Sequence, residues 1–186
     1  MFNNSAVLFR YLLIINIIFT SLVIGSDKKN QSYFDCPCPH IIAHQGASLE
    51  LPPNTIEAFQ LALDYGADII ELDIWRSMDG VWVVIHDGNL LRIAGVNKDI
   101  TQMSFKEIQS LDAAYNFSDS SGNYLYRNKG YRIPSLEEVL RKFSSEKINI
   151  EIKDHRKLGL SDLVELIKKY DMEQKTLFIS SHYSVL

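Results

Sequence analysis

Six side chains in this sequence have the types and spacing to handle a phosphate ester. Glu71 and Asp73 stand two residues apart inside an apolar run, Ile69-Ile70-Glu71-Leu72-Asp73-Ile74, and Glu151 with Lys153 repeats that spacing in Ile150-Glu151-Ile152-Lys153. On a strand, residues two apart share a face, so each pair points one way. His44 and His86 each close a strand-like run, His40-Ile41-Ile42-Ala43-His44 and Val81–His86. Three carboxylates brought together repel one another unless a cation neutralises them. An all-oxygen set suits a hard divalent ion, Ca2+ or Mg2+, better than zinc. Imidazoles titrate near neutrality and so suit proton transfer in both directions. Together these groups describe metal-assisted phosphoryl chemistry.

A satisfied core histidine or a solvated Glu-x-Asp face is the bland alternative for any one of these groups taken singly. Joint placement at strand ends and the apolar flanks of the two acids favour a site, because buried acids need partners. Lys153 also has a plain structural option as an ion-pair partner of Glu151 or Glu71. His40, His155 and His182 have no comparable company in the sequence.

The elements that must position these groups alternate in type. After the run ending at His44, Asn54 stands as an N-cap with Glu57 three residues later, opening an apolar-faced helix that ends at Tyr65-Gly66. Two strands follow, Asp68–Ile74 and Val81–His86, split by the turn Ser77-Met78-Asp79-Gly80. The polar segment Gly88–Gly130 contains a helix at Ser104–Leu111, capped by Ser104 and Glu107. Helices at Ser135–Phe143 and Leu160–Tyr170 then alternate with strands at Ile148–Ile152 and Thr176–Ser180. Five strands and about four helices predict an α/β fold with a parallel sheet, whose site lies at the carboxyl ends of the strands.

Composition narrows the function classes. With 46% hydrophobic residues, 23% charged, and only 9 Gly and 5 Pro in 186, the chain is a folded domain. Its net charge of −4, with neither sign gathered in one region, excludes a polyanion-binding groove, so no nucleic-acid partner is expected. Residues 1–26 read as an export segment, since Tyr11–Gly25 is a 15-residue apolar run and a bilayer span needs about 20. Two readings stand: a signal peptide cleaved near Ser26, or an uncleaved anchor that associates with a membrane. Either makes the remainder secreted or exported, with residues 27–39 as a linker. Cys36 and Cys38 are too close for an unstrained mutual disulfide and lack the second pair of a zinc site.

Five ordered blocks then carry a resemblance. His44-Gln45-Gly46-Ala47-Ser48 with Pro52-Pro53-Asn54-Thr55, Gly66–Asp73, Asp79–Asp87, Ile133–Val139 and Ile150–Lys153 resemble the glycerophosphodiester phosphodiesterase family in sequence and spacing. The resemblance implies a TIM-barrel hydrolase that cleaves small glycerophosphodiesters to glycerol 3-phosphate and an alcohol. It implies Glu71, Asp73 and Glu151 as metal ligands, His44 and His86 as acid and base, Lys153 and Gln45 at the substrate phosphate, and Asp87 as orienter of His86. The implied chemistry is attack of the substrate's own glycerol hydroxyl on phosphorus, and then opening of the cyclic phosphate by water. Gln45 stands where the family pattern has Arg, and Pro53 where it has Glu. A closed eight-stranded barrel takes about 250 residues, so residues 40–186 are expected to form an incomplete barrel of about five of eight βα units, a fragment or truncated product. The alternatives are an inactive remnant or binding module of the same fold, and a phospholipase-D-like enzyme of the same barrel type.

Overall fold

The computed structural model describes residues 32–34 and 39–182. The apolar run Tyr11–Gly25 and both cysteines lie outside these residues. Among the described residues, no helix is long and apolar enough to cross a membrane.

Among the described residues, five strands form one sheet. They are β1 (Ile42–His44), β2 (Ile69–Arg76), β3 (Trp82–Val84), β4 (Lys147–Ile152) and β5 (Thr176–Ile179). The path β1-β2-β4-β5 is parallel throughout. β3 departs from the expected parallel run. It pairs antiparallel with the end of β2, Ile74 opposite Val84 and Arg76 opposite Trp82. Parallel neighbours need a crossover of a dozen or more residues, and the turn between β2 and β3 is far shorter. The two therefore form a hairpin, and the parallel run has four strands where five βα units were expected.

The helices among the described residues are α1 (Ile56–Asp64), α2 (Leu91–Ala94), α3 (Phe105–Gln109), α4 (Leu136–Lys142) and α5 (Leu160–Lys169), with a 3-10 turn at Ile100–Gln102. Capping boxes start α3 (Ser104 with Glu107) and α4 (Ser135 with Glu138). For α1 the expected cap shifts by one residue. Thr55, not Asn54, accepts from the Ala58 amide, and Asn54 takes a left-handed backbone, φ 59°. That conformation frees its side chain to turn toward the sheet.

Alternation along β2 and β4 separates two environments. Ile70, Leu72 and Ile74 with Ile148, Ile150 and Ile152 join one core with Phe59 of α1, Leu136 and Leu140 of α4, and Leu163 and Ile167 of α5. All three helices thus cover the same face, as in a barrel wall. Each fully buried Ile, Leu or Phe contributes about 1.5–3 kcal/mol at most. The intervening residues Glu71, Asp73, Asn149 and Glu151 share the other face. At its lower end the Tyr33 hydroxyl donates to Asn149 Oδ1 at 2.5 Å, and Lys147 Nζ donates to the Tyr33 carbonyl at 2.9 Å. A second cluster, including Val83, Ile85, Leu90, Ile100, Met103 and Ile108, anchors the polar segment after β3.

The turn from β1 to α1 depends on Gly46. Its φ is +80°, and a Cβ there would lie 2.6 Å from the Ala58 backbone. Gly66 has a similar φ of +89° but open space around it. Gly66→Ala is therefore expected to lose about 1–2 kcal/mol for the left-handed backbone alone, and Gly46→Ala distinctly more. Urea unfolding of both variants measures the difference; equal losses would mean that the approach to Ala58 relaxes freely.

Candidate active site

β2 delivers Glu71 and Asp73 to the rim, and register places Asp73 beside Glu151 of β4 and His44 of β1 beside Glu71. One carboxylate oxygen from each of Glu71, Asp73 and Glu151 lies within 4.8 Å of the others. Asp73 is fully buried, Glu71 nearly so, and Glu151 half-buried. Burial pushes the Glu71 carboxyl above its ordinary value, and the charges of Asp73 and Glu151 push the same way. The Gln45 amide and His44 pull it back only in part.

Three neighbours restrain the cluster. The backbone N–H of Gln45 donates to Glu71 Oε2 at 2.9 Å, and its carboxamide donates to Asp73 Oδ2 at 2.8 Å. Asn54 Nδ2 donates to the same oxygen at 2.9 Å, and the Asp73 amide donates back to Asn54 Oδ1 at 3.3 Å. Lys153 Nζ sits 2.9 Å from Glu151 Oε1 and 3.3 Å from Asp73 Oδ1. Burial opposes the Lys153 charge, but Glu151 and Asp73 outweigh it and hold the ammonium above its usual value. Asp73 Oδ1 nevertheless makes no hydrogen bond of proper geometry, although it is shut off from solvent. A buried acceptor held by an ion pair but by no hydrogen bond, within an all-oxygen set, fits a hard divalent cation.

The structure thus brings Glu71, Asp73, Glu151 and Lys153 together and sets His44 beside them, its Nε2 4.0 Å from Glu71 Oε2 and its side chain exposed. Gln45, expected at the substrate phosphate, turns inward and braces Asp73. Its left-handed backbone, φ 57°, directs it there. His86 lies two residues beyond β3, with Nδ1 2.6 Å from Asp87 Oδ1. Trp75, the next inward residue after Asp73 on β2, donates its indole N–H to the His86 carbonyl at 2.9 Å. Asp87 also pairs with Arg92, whose guanidinium, followed by the His86 imidazole, holds this carboxyl below the usual range against the effect of burial.

A cavity of about 620 Å3 opens on this rim, lined by Trp75, His86, Asp87, Lys153, His155 and His182 among others. His155 and His182, which the sequence left without company, lie with ring centroids 5.3 Å apart. A signal for both was present: His155 keeps the parity of Glu151 and Lys153, and His182 closely follows β5. Asn54 carried no signal beyond its place before Thr55, because only the fold brings it to Asp73.

Residues 44–180 match a family model described as the glycerophosphoryl diester phosphodiesterase family. Over 151 residues the chain is 37% identical to a glycerophosphodiester phosphodiesterase of Caldanaerobacter subterraneus, covering 78% of this chain and 59% of that relative. It is 34% identical over 149 residues to the human protein named lysophospholipase D GDPD1, covering 78% of this chain and 46% of the relative. A solved Oleispira antarctica phosphodiesterase in complex with the product sn-glycerol-3-phosphate superposes with a TM-score of 0.66 at 28% identity, over 79% of this chain and 59% of that one. The chain spans about half the length of the curated relatives it matches.

The raised Glu71 pKa fixes the sign of a stability effect. A carboxyl raised on folding contributes fully below its unfolded value, and that contribution is lost as pH climbs through the folded value. Ionising Glu71 at neutral pH is therefore a cost, which a divalent cation held there would offset. Scanning calorimetry is expected to show Ca2+ or Mg2+ raising Tm at pH 7, with the gain shrinking toward pH 4. Glu71→Gln is expected to raise Tm of the cation-free protein by about 2–4 °C, the equivalent of ~1 kcal/mol. A lower Tm for Glu71→Gln would show that the carboxylates are not strained together.

Proposed function

Since the chain belongs to the glycerophosphoryl diester phosphodiesterase family, we propose that it serves a metal-dependent phosphodiesterase. The reaction is hydrolysis of glycerophosphodiesters to glycerol 3-phosphate and an alcohol, with His44 and His86 exchanging protons. The observation that carries this reading is the meeting of Glu71, Asp73 and Glu151 beside His44, at the rim that also bears His86.

Glu71, Asp73 and Glu151 would hold the ion, Ca2+ or Mg2+. When bound there, a divalent cation supplies Lewis-acid charge that offsets the negative charge building on the phosphoryl oxygens. The remaining work falls to the chain. Asp87 engages Nδ1 of His86 and so leaves Nε2 as the nitrogen turned to substrate. As the substrate's glycerol hydroxyl attacks phosphorus, one histidine takes its proton, a new O–P bond forms and the bond to the leaving alcohol breaks. The other histidine protonates the departing oxygen. Water then opens the cyclic phosphate with the two roles reversed. Gln45 and Asn54 hold the Asp73 carboxylate in place, so a substrate meets a rim already arranged.

A lysophospholipid is the second substrate reading. Its support is the 34% identity to a human protein named for lysophospholipase D activity. Release of choline from glycerophosphocholine and from lysophosphatidylcholine, each with added Ca2+ or Mg2+, separates the two.

His86→Ala and His44→Ala are each expected to lower kcat by about 10²–10⁴-fold, the usual worth of a positioned acid or base. Glu71→Gln is expected to abolish turnover. Full activity in any of the three, followed by choline release, would overturn the assignment.

A further inference from the structure

A phosphodiester brings negative charge to this rim, and the side chain that receives it is not one of those nearest the acidic cluster. This inference rests on the enzymatic reading above. Gln45 is almost completely buried, and its carboxamide is spent on Asp73. Lys153 stands between Asp73 and Glu151, its side chain only 19% exposed. Both face the acids.

Arg92 is arranged differently. It is the second residue of α2, a single turn pinned by the buried Leu90 before it and Ala94 within it. Its Nε donates to Asp87 Oδ2, while Asp87 Oδ1 engages His86 Nδ1. One carboxylate therefore fixes a guanidinium and an imidazole relative to each other. Among the described residues, the hydrogen bond of Arg92 runs through Nε, and neither Nη1 nor Nη2 donates one. The side chain is 62% exposed and lines the same cavity as His86 and Lys153. Asp73 adds to the attractions that raise its basicity, so its field reaches the acidic cluster. A guanidinium held through Nε and open at both Nη atoms presents the fork that phosphate oxygens accept in pairs.

We propose that Arg92 is the phosphate-binding guanidinium of this site, with Asp87 bridging it to His86. Position 45, occupied by glutamine, is thereby relieved of that task. Arg92 also borders a second cavity of about 250 Å3, with Pro53, Ile93 and Phe117 on its walls.

Calorimetric titration of the full chain with sn-glycerol 3-phosphate, in Mg2+ or Ca2+, tests the proposal, with thermal unfolding as the check on folding. Arg92→Met is expected to weaken binding about 10–100-fold, the worth of charge-assisted hydrogen bonds, and to flatten its dependence on salt. Arg92→Lys, which keeps charge but loses the fork, is expected to fall between Met and wild type. If Arg92 only positions Asp87, kcat for glycerophosphocholine drops in Arg92→Met while glycerol 3-phosphate binds as before; that result overturns the proposal. Where the Met variant does not fold, the Arg92 side-chain nitrogen resonances of the wild type are read on adding inorganic phosphate, and their failure to move overturns it equally. A wild type that binds glycerol 3-phosphate through Arg92 yet hydrolyses no diester supports the anion site and rejects the enzymatic reading. Hydrolysis together with undiminished binding in Arg92→Met rejects Arg92 alone, and wild type that binds neither anion rejects both.

Discussion

Three carboxylates confined to one strand-end rim set the terms for everything around them. Burial first, and then the neighbouring negative charges, hold the Glu71 carboxyl above its ordinary value, and the surrounding chain is shaped to contain that cost. Gln45 and Asn54 both adopt left-handed backbone, unusual for residues other than glycine, and both direct an amide to Asp73. Lys153 adds one positive charge, and Gly46 lets α1 approach closely enough for the turn carrying Gln45 to close. These four restraints serve a single electrostatic problem, and they leave one oxygen of Asp73 with the Lys153 ion pair but no hydrogen bond.

Much of this arrangement was legible in the sequence because strands write their two faces alternately. The isoleucines and leucine at 70, 72, 74, 148, 150 and 152 announce one buried face, and the acids and lysine between them announce another; the structure separates them in that way. Helix starts at Ser104 and Ser135 were equally plain, since a serine followed three residues later by glutamate satisfies free amides locally.

Other features depended on distance in space. The hairpin of β2 and β3 could have been read from the short Ser77–Gly80 turn, but strand patterning alone does not carry direction. Thr55 displaced Asn54 as the cap because Asn54 is drawn to Asp73, 19 residues away, and no local rule anticipates a partner at that range. The same holds for Gln45, whose polar end looked available until the fold turned it inward. His155 and His182 meet only because β4 and β5 end side by side.

The alternation along β2 and β4 also governs how such a protein can change over generations. Residues that contact the helices and residues that line the rim occupy opposite sides of the same strands, so Glu71 lies outside the core in which Ile70 and Ile74 pack with α1, α4 and α5. Selection can therefore explore new chemistry on one side without jeopardising foldedness on the other. The exception is Asp73, whose two amide partners sit in the loop entering α1. There the rim and the architecture are inherited together.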